Sequence, residues 1–190
     1  MNTKIGHCLN PKKGDLIISE PFLNDNNFER SVILICNHDE TGTFGFIVNK
    51  PTAMTVEQIL GEKWDINQLV YFGGPVQNDT LHFLHTLGEK IEGSQQVRQG
   101  LYWGGNFDQL RELVESGQVK STQYRLFMGY SGWSEGQLDR ELKENAWIVS
   151  EVYHEELFSY DPSKLWQIVL KEMGGEYKII ANYPSDPRLN

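Results

Sequence analysis

The apolar positions of this chain fall into short unbroken runs in its first half and into helical stripes in its second. GDLIIS (14–19) and SVILIC (31–36) are continuous runs of a length suited to strands covered on both faces. TFGFIVN (43–49) alternates instead, which sets Phe44, Phe46 and Val48 on one side of a strand and Gly45, Ile47 and Asn49 on the other. The polar stretch NHDETG, with Gly42, separates the last two runs and predicts a β-hairpin over 31–49. Further strands are expected at 69–72, 80–87, 96–103, 123–130 and 146–153.

Helix starts recur with one grammar. Thr55 caps a helix with Gln58 three residues on, and Met54 and Ile59 are spaced as a hydrophobic staple. Asp161 caps a second with Pro162 in its first turn and a stripe of Leu165, Trp166, Val169, Leu170 and Met173, stopped by Gly174. Asn106 opens a third, striped by Phe107, Leu110, Leu113 and Val114 and closed by Gly117. Ser134 is expected to cap a fourth, with Gln137 reaching back, Trp133 stapled to Leu138, and Asp139 paired with Lys143.

Just before that helix stands Gly129-Tyr130-Ser131-Gly132-Trp133. The nucleophile elbow is G-x-S-x-G, and tryptophan here replaces the second glycine. Ser131 is therefore a weak catalytic candidate, for a hydrolase using His82 or His38, set against a tight turn made possible by Gly129 and Gly132. Two other segments echo each other: Tyr71-Phe72-Gly73-Gly74-Pro75 and Tyr102-Trp103-Gly104-Gly105-Asn106. Glycines at strand ends allow a sharp turn or the close approach of another group, and no G-K-[ST] follows to make either a P-loop. If the three segments converge, Gly73, Gly74, Gly104, Gly105, Tyr130, Ser131 and Trp133 are the candidate ligand-binding residues; the competing reading is turn chemistry.

The remaining constellations are bland. His82 and His85 sit an odd number of residues apart in a strand, so they face opposite ways and do not share a metal. His38-Asp39-Glu40 reads as solvated turn charge, Asn24 to Asn27 as Asx-turns, and Lys50 as an exposed edge charge before Pro51, which stops its strand. His7 and His154 have no evident partner. No metal and no cofactor is predicted.

Composition narrows the classes. At 190 residues, with 39% hydrophobic, 23% charged and 12% aromatic residues, the chain reads as one globular domain over 1–190. The net charge of −9 divides evenly, −4 over the first ninety residues and −5 over the rest, so no basic stripe is present to collect phosphates and nucleic acid is a poor partner. Cys8 and Cys36 form no C-x-x-C pair, and no apolar run suggests a signal peptide or a membrane span. The expectation is a reduced, cytoplasmic protein.

Several stretches together resemble one family: "GDLIISEPFLNDNNFERSVILICNHDETGTFGFIVNKP", "YFGGPVQNDTLHFLH", "GLYWGGNFDQL" and "FMGYSGWSEGQLDREL" followed by "WIV". In this order they look like the AlgH/YqgE family of bacterial proteins over residues 14–150, with 155–190 a variant C-terminal helix and tail. The resemblance implies an α+β fold in which a branched, largely antiparallel sheet curls into a pseudo-barrel with helices packed outside. It implies no established reaction; some members carry a transcriptional-regulator label. Residues and resemblance together favour a non-catalytic protein that binds a small ligand or a protein partner, with a Ser131 hydrolase as the alternative.

Overall fold

The computed structural model describes residues 10–61, 63–64, 68–150 and 157–184. His7, Cys8, His154 and the end of the strand expected at 146–153 lie outside them. The strands are β1 (Leu16–Ser19), β2 (Val32–Asp39), β3 (Gly42–Ile47), β4 (Pro51–Thr55), β5 (Leu69–Phe72), β6 (Val76–His85), β7 (Gln95–Arg98), β8 (Leu101–Trp103), β9 (Tyr124–Ser134) and β10 (Trp147–Ser150). The helices are α1 (Val56–Leu60), α2 (Phe107–Glu115), α3 (Gln137–Lys143), α4 (Pro162–Met173) and α5 (Tyr177–Ile180).

One ten-stranded sheet runs in the order β10-β1-β2-β3-β9-β6-β8-β7, and a β4–β5 pair branches from β9. The pairing of β5 with β9 is parallel and the others are antiparallel. The continuous apolar runs are strands covered on both faces, as their pattern requires. Leu16, Ile18, Val32, Leu34, Phe46 and Val48 face α4, which contributes Leu165, Trp166, Val169 and Leu170. Ile17, Ile33, Ile35, Ile47 and Val149 face the other way, against Leu138 and Leu142 of α3 and the rings of Trp133 and Trp147. A third cluster joins Val70, Phe83, Tyr124 and Leu126 to Val56 of α1 and Leu110 and Val114 of α2.

The far end of the sheet returns to its beginning. Val97 and Leu101 pack with Leu16 and Leu34, and Arg98 Nη1 donates to the Gly14 carbonyl at 2.8 Å. The sheet is curled without closing into a barrel. Arg125 fastens the concave side: its two Nη groups donate to Val48 O and Phe158 O, each at 2.8 Å, and its guanidinium lies 4.1 Å from the Tyr71 ring centroid. Burial lowers its pKa to about 10, so it stays cationic at neutral pH, held by carbonyl dipoles and ring faces.

Four expectations change. The strand expected over 96–103 is a hairpin, turned at Gly100 with φ 75°. Pro51 begins β4, an edge strand in which its missing N–H costs no ladder bond. Ser134 does not cap α3: β9 keeps pairing as far as Ser134 opposite Gly42, and the helix starts after left-handed Gly136. Gln137 Oε1 nonetheless accepts from the Ser134 N–H at 3.0 Å, so half of the expected exchange survives. Lys50 is half-buried, its Nζ donating to Asn27 O at 2.8 Å, and burial lowers its pKa. The caps at Thr55, Asn106 and Asp161 form as read.

The branch point lies where β3, β5 and β9 meet. Along one side of β9, β3 pairs with Ser131 to Ser134 and β5 with Phe127 and Met128. Gly73 fills the seam between them: its N–H donates to Met128 O at 2.9 Å, and its carbonyl accepts from Ile47 N–H at 3.0 Å. A Cβ on Gly73 would lie 2.2 Å from Gly129 O, closer than any methyl tolerates. Gly73→Ala is expected to destabilise the fold by about 3 kcal/mol in urea denaturation; a loss under about 1 kcal/mol would show that the seam relaxes freely.

Candidate ligand-binding site

The curl leaves a cavity of about 550 Å³ on the concave side, walled by Phe44, Phe46, Val76, His82, Trp103 and Tyr130. Asn37, Thr41, Thr43 and Trp133 complete its lining together with Gly42 and Gly132. The walls form a chain of ring contacts. Phe44 meets Trp103 at 4.9 Å between centroids, Tyr130 at 6.0 Å and Phe46 at 6.1 Å, all edge to face. His82 continues the chain, 5.4 Å from Phe46 and 5.9 Å from Tyr130.

Local backbone chemistry places these rings. Alternation along β3 sends Phe44 and Phe46 to one face, while Gly45 on the other face permits close approach to Leu34 O. On β6 the register slips between Val76, opposite Tyr130, and Leu81, opposite Met128. Gln77 sits at the slip with φ 46°, facing left-handed Gly129 with φ 65°. Such a bulge re-aims side chains, and here it brings Val76 and His82 to the same hollow.

Of the sequence candidates, Tyr130 and Trp133 line the cavity. The Trp133 indole N–H donates to Glu141 at 2.8 Å and its ring packs on Trp147, so it borders the cavity with no free donor. Gly73, Gly74 and Ser131 adjoin the cavity as structure: Gly74 lies against the Tyr130 carbonyl, and Ser131 is fully buried, its Oγ donating to Gly73 O at 3.0 Å. Segments 71–75 and 129–133 therefore do meet, backbone to backbone. Segment 102–106 sends Trp103 alone. Gly104 O accepts from His85 Nε2 at 3.1 Å, and Gly105 packs against Ile91 and Ser94.

Phe44, Phe46, Val76 and Trp103 wall the cavity without being among the sequence candidates. The alternation of β3 already put both phenylalanines on one face, and Trp103 was passed over for the glycines after it. The sequence suggests His82 as a base for Ser131 or as a metal ligand, and the structure places it in the cavity wall instead. His82 and His85 do face opposite ways, one into the cavity and one towards Ser94.

Among the described residues three histidine–hydroxyl contacts occur, and none pairs with Ser131. His85 Nε2 lies 3.0 Å from Ser94 Oγ, a distance suited to a dyad. However, the Leu87 N–H donates to His85 Nδ1 at 3.2 Å, which fixes the proton on Nε2, and Ser94 gives its own proton to Ile91 O at 2.7 Å. His85 is thus a donor and cannot act as base towards Ser94. No group of three or more His, Cys, Asp or Glu residues able to hold a metal occurs among the described residues. At the start of α2, Asn106 Oδ1 already takes the Asp108 and Gln109 N–H groups at 3.0 and 3.2 Å, which leaves those donors no role in anion binding.

Fold and cavity together define an α+β protein with a branched, curled sheet and an uncharged aromatic hollow. The AlgH-like family profile matches residues 16–178, and the chain belongs to that family. It is 45% identical over 179 residues to a UPF0301 protein of Cytophaga hutchinsonii, covering 94% of this chain and 98% of that one. A UPF0301 protein of Chlorobaculum tepidum is 40% identical, covering 94% and 96%. The solution structure of AlgH from Pseudomonas aeruginosa superposes with a TM-score of 0.73 at 24% identity, over 97% of this chain and 98% of that one. The crystal structure of DIP2367 from Corynebacterium diphtheriae gives 0.74 at 21%, over 92% and 93%. At these identities both share the fold.

Two outcomes follow from the site. Ser131→Ala is expected to lower stability by about 1 kcal/mol in urea, and a serine-directed phosphonate to leave Ser131 unmodified; phosphonate labelling that vanishes in Ser131→Ala would contradict the structural role. His82 and His85 both have pKa values lowered by burial from 6.5. Between that value and their lower folded values the unfolded chain binds more protons, so their stabilising contribution is full above pH 6.5 and is lost as pH falls towards the folded values. The melting temperature should fall on acidification from pH 7, with a shallower slope in His82→Gln/His85→Gln; an unchanged slope would remove both groups from the account.

Proposed function

We propose that this chain is a non-catalytic binding protein whose concave cavity holds a small, uncharged, largely apolar ligand. One observation carries the reading: a hollow of about 550 Å³ is walled by five aromatic rings and no side chain with a formal charge at neutral pH. That volume lies within the range of small-molecule sites, which are mostly apolar with a few placed polar groups. An aromatic surface left open to water is costly unless something covers it.

The ligand reading is preferred to the hydrolase because the hydroxyls beside His82 and His85 are committed to backbone carbonyls and Ser131 is sealed beneath the seam. A regulatory role would be exercised by ligand occupancy, with the acidic surface arguing against direct contact with nucleic acid. Among the described residues no helix is long and apolar enough to cross a membrane. The buried Cys36 thiol, whose pKa burial pushes up, is unreactive and suits a cytoplasmic setting.

Protein purified gently from cells and analysed by untargeted mass spectrometry should yield at least one metabolite that raises its melting temperature. Trp103→Ala, which removes one wall, should weaken that ligand about tenfold or more. A stabilising metabolite that binds Trp103→Ala equally well would place its site elsewhere and contradict the reading.

A further inference from the structure

The hydrogen-bonding state of His82 in the cavity wall can be deduced. His82 Nε2 lies 2.9 Å from Thr80 Oγ1, and that hydroxyl gives its proton to Gln77 O at 2.7 Å. With its proton spent, the Thr80 oxygen accepts, so Nε2 carries the imidazole proton and Nδ1 is an unprotonated lone pair. Nδ1 has no partner among the described residues, and it is not one of the buried polar atoms left unpaired. It is therefore open to solvent, on a ring held between Phe46 and Tyr130 in the cavity wall. Burial lowers the His82 pKa, which keeps this acceptor available at neutral pH.

The charge around the hollow restricts its occupant further. No lysine or arginine lines it. At the rim, Asn37 and Thr41 both donate to the Asp39 carboxylate, which these bonds hold at a pKa of about 2. A ligand carrying a carboxylate or phosphate would leave water for apolar walls and an anionic rim, with no compensating cation.

Resting on the binding reading above, we propose that the cavity takes a planar aromatic heterocycle that donates an N–H to His82 Nδ1 and bears no negative charge. The rings of Phe44, Trp103 and Tyr130 supply faces and edges for stacking, and the lone pair fixes orientation.

The test uses three probes on the intact protein: indole, 1-methylindole and indole-3-acetate, followed by heteronuclear NMR. Indole should shift the resonances of Phe44, Trp103 and Tyr130 and move the His82 Nδ1 signal of the Nε2–H tautomer. It should bind about fivefold to tenfold more tightly than 1-methylindole, which lacks the donor, and indole-3-acetate should bind more weakly than indole. In His82→Phe the difference between the first two probes should vanish. Equal binding of indole and 1-methylindole to the unmodified protein, still mapping to Phe44 and Trp103, overturns the donor proposal while leaving the binding cavity intact. Binding of indole-3-acetate as tight as that of indole overturns the exclusion of anions. No shift at any cavity ring with millimolar indole overturns both the proposal and the reading it rests on.

Discussion

Two backbones pass at Gly73 and Gly129 more closely than a side chain at either position permits, and the shape of the molecule depends on that passage. Along one side of β9, β3 takes one half and β5 the other. The Gly73 carbonyl joins them, accepting the Ile47 N–H and the Ser131 hydroxyl at 3.0 Å each. A buried carbonyl with two donors and a buried hydroxyl with a firm acceptor satisfy one another, where either alone would carry a desolvation cost. Branching then allows the sheet to curl, and curling opens the hollow.

The serine that looked most like a nucleophile is thus part of the frame. Its fully buried hydroxyl is spent on the seam, on the opposite side of the strand from adjacent Tyr130, which faces the cavity. The aromatic rings are placed by strand alternation and by the bulge in β6. Arg125 contributes from beneath, holding Val48, Tyr71 and Phe158 in one place through two carbonyls and a ring face.

Much of this was legible in the sequence, for definite reasons. Unbroken runs such as LIIS and VILIC could only be strands covered on both faces, and the alternation at 43–49 put Phe44 and Phe46 on one side. Caps at Thr55, Asn106 and Asp161 are local chemistry and formed as written. What depended on partners distant in sequence was not readable. Ser134 had every feature of a cap, yet pairing with Gly42 kept it in a strand. The double glycines were identified as places of close approach, and at Gly73 and Gly74 the approaching group is the chain's own backbone. The cavity wall was missed because it assembles Phe44, His82, Trp103 and Tyr130 from four strands, a convergence that no linear pattern encodes.

If the seam is a rigid foundation, its amides should open only when the whole molecule does. Native-state hydrogen exchange of the Ile47 and Gly73 amides, followed as a function of denaturant, measures this directly. The account predicts that both exchange with the free energy and denaturant dependence of global unfolding. Exchange through a low-energy local opening, insensitive to denaturant, would mean that the strands part at Gly73 in the folded state and that the hollow beside them is not preformed.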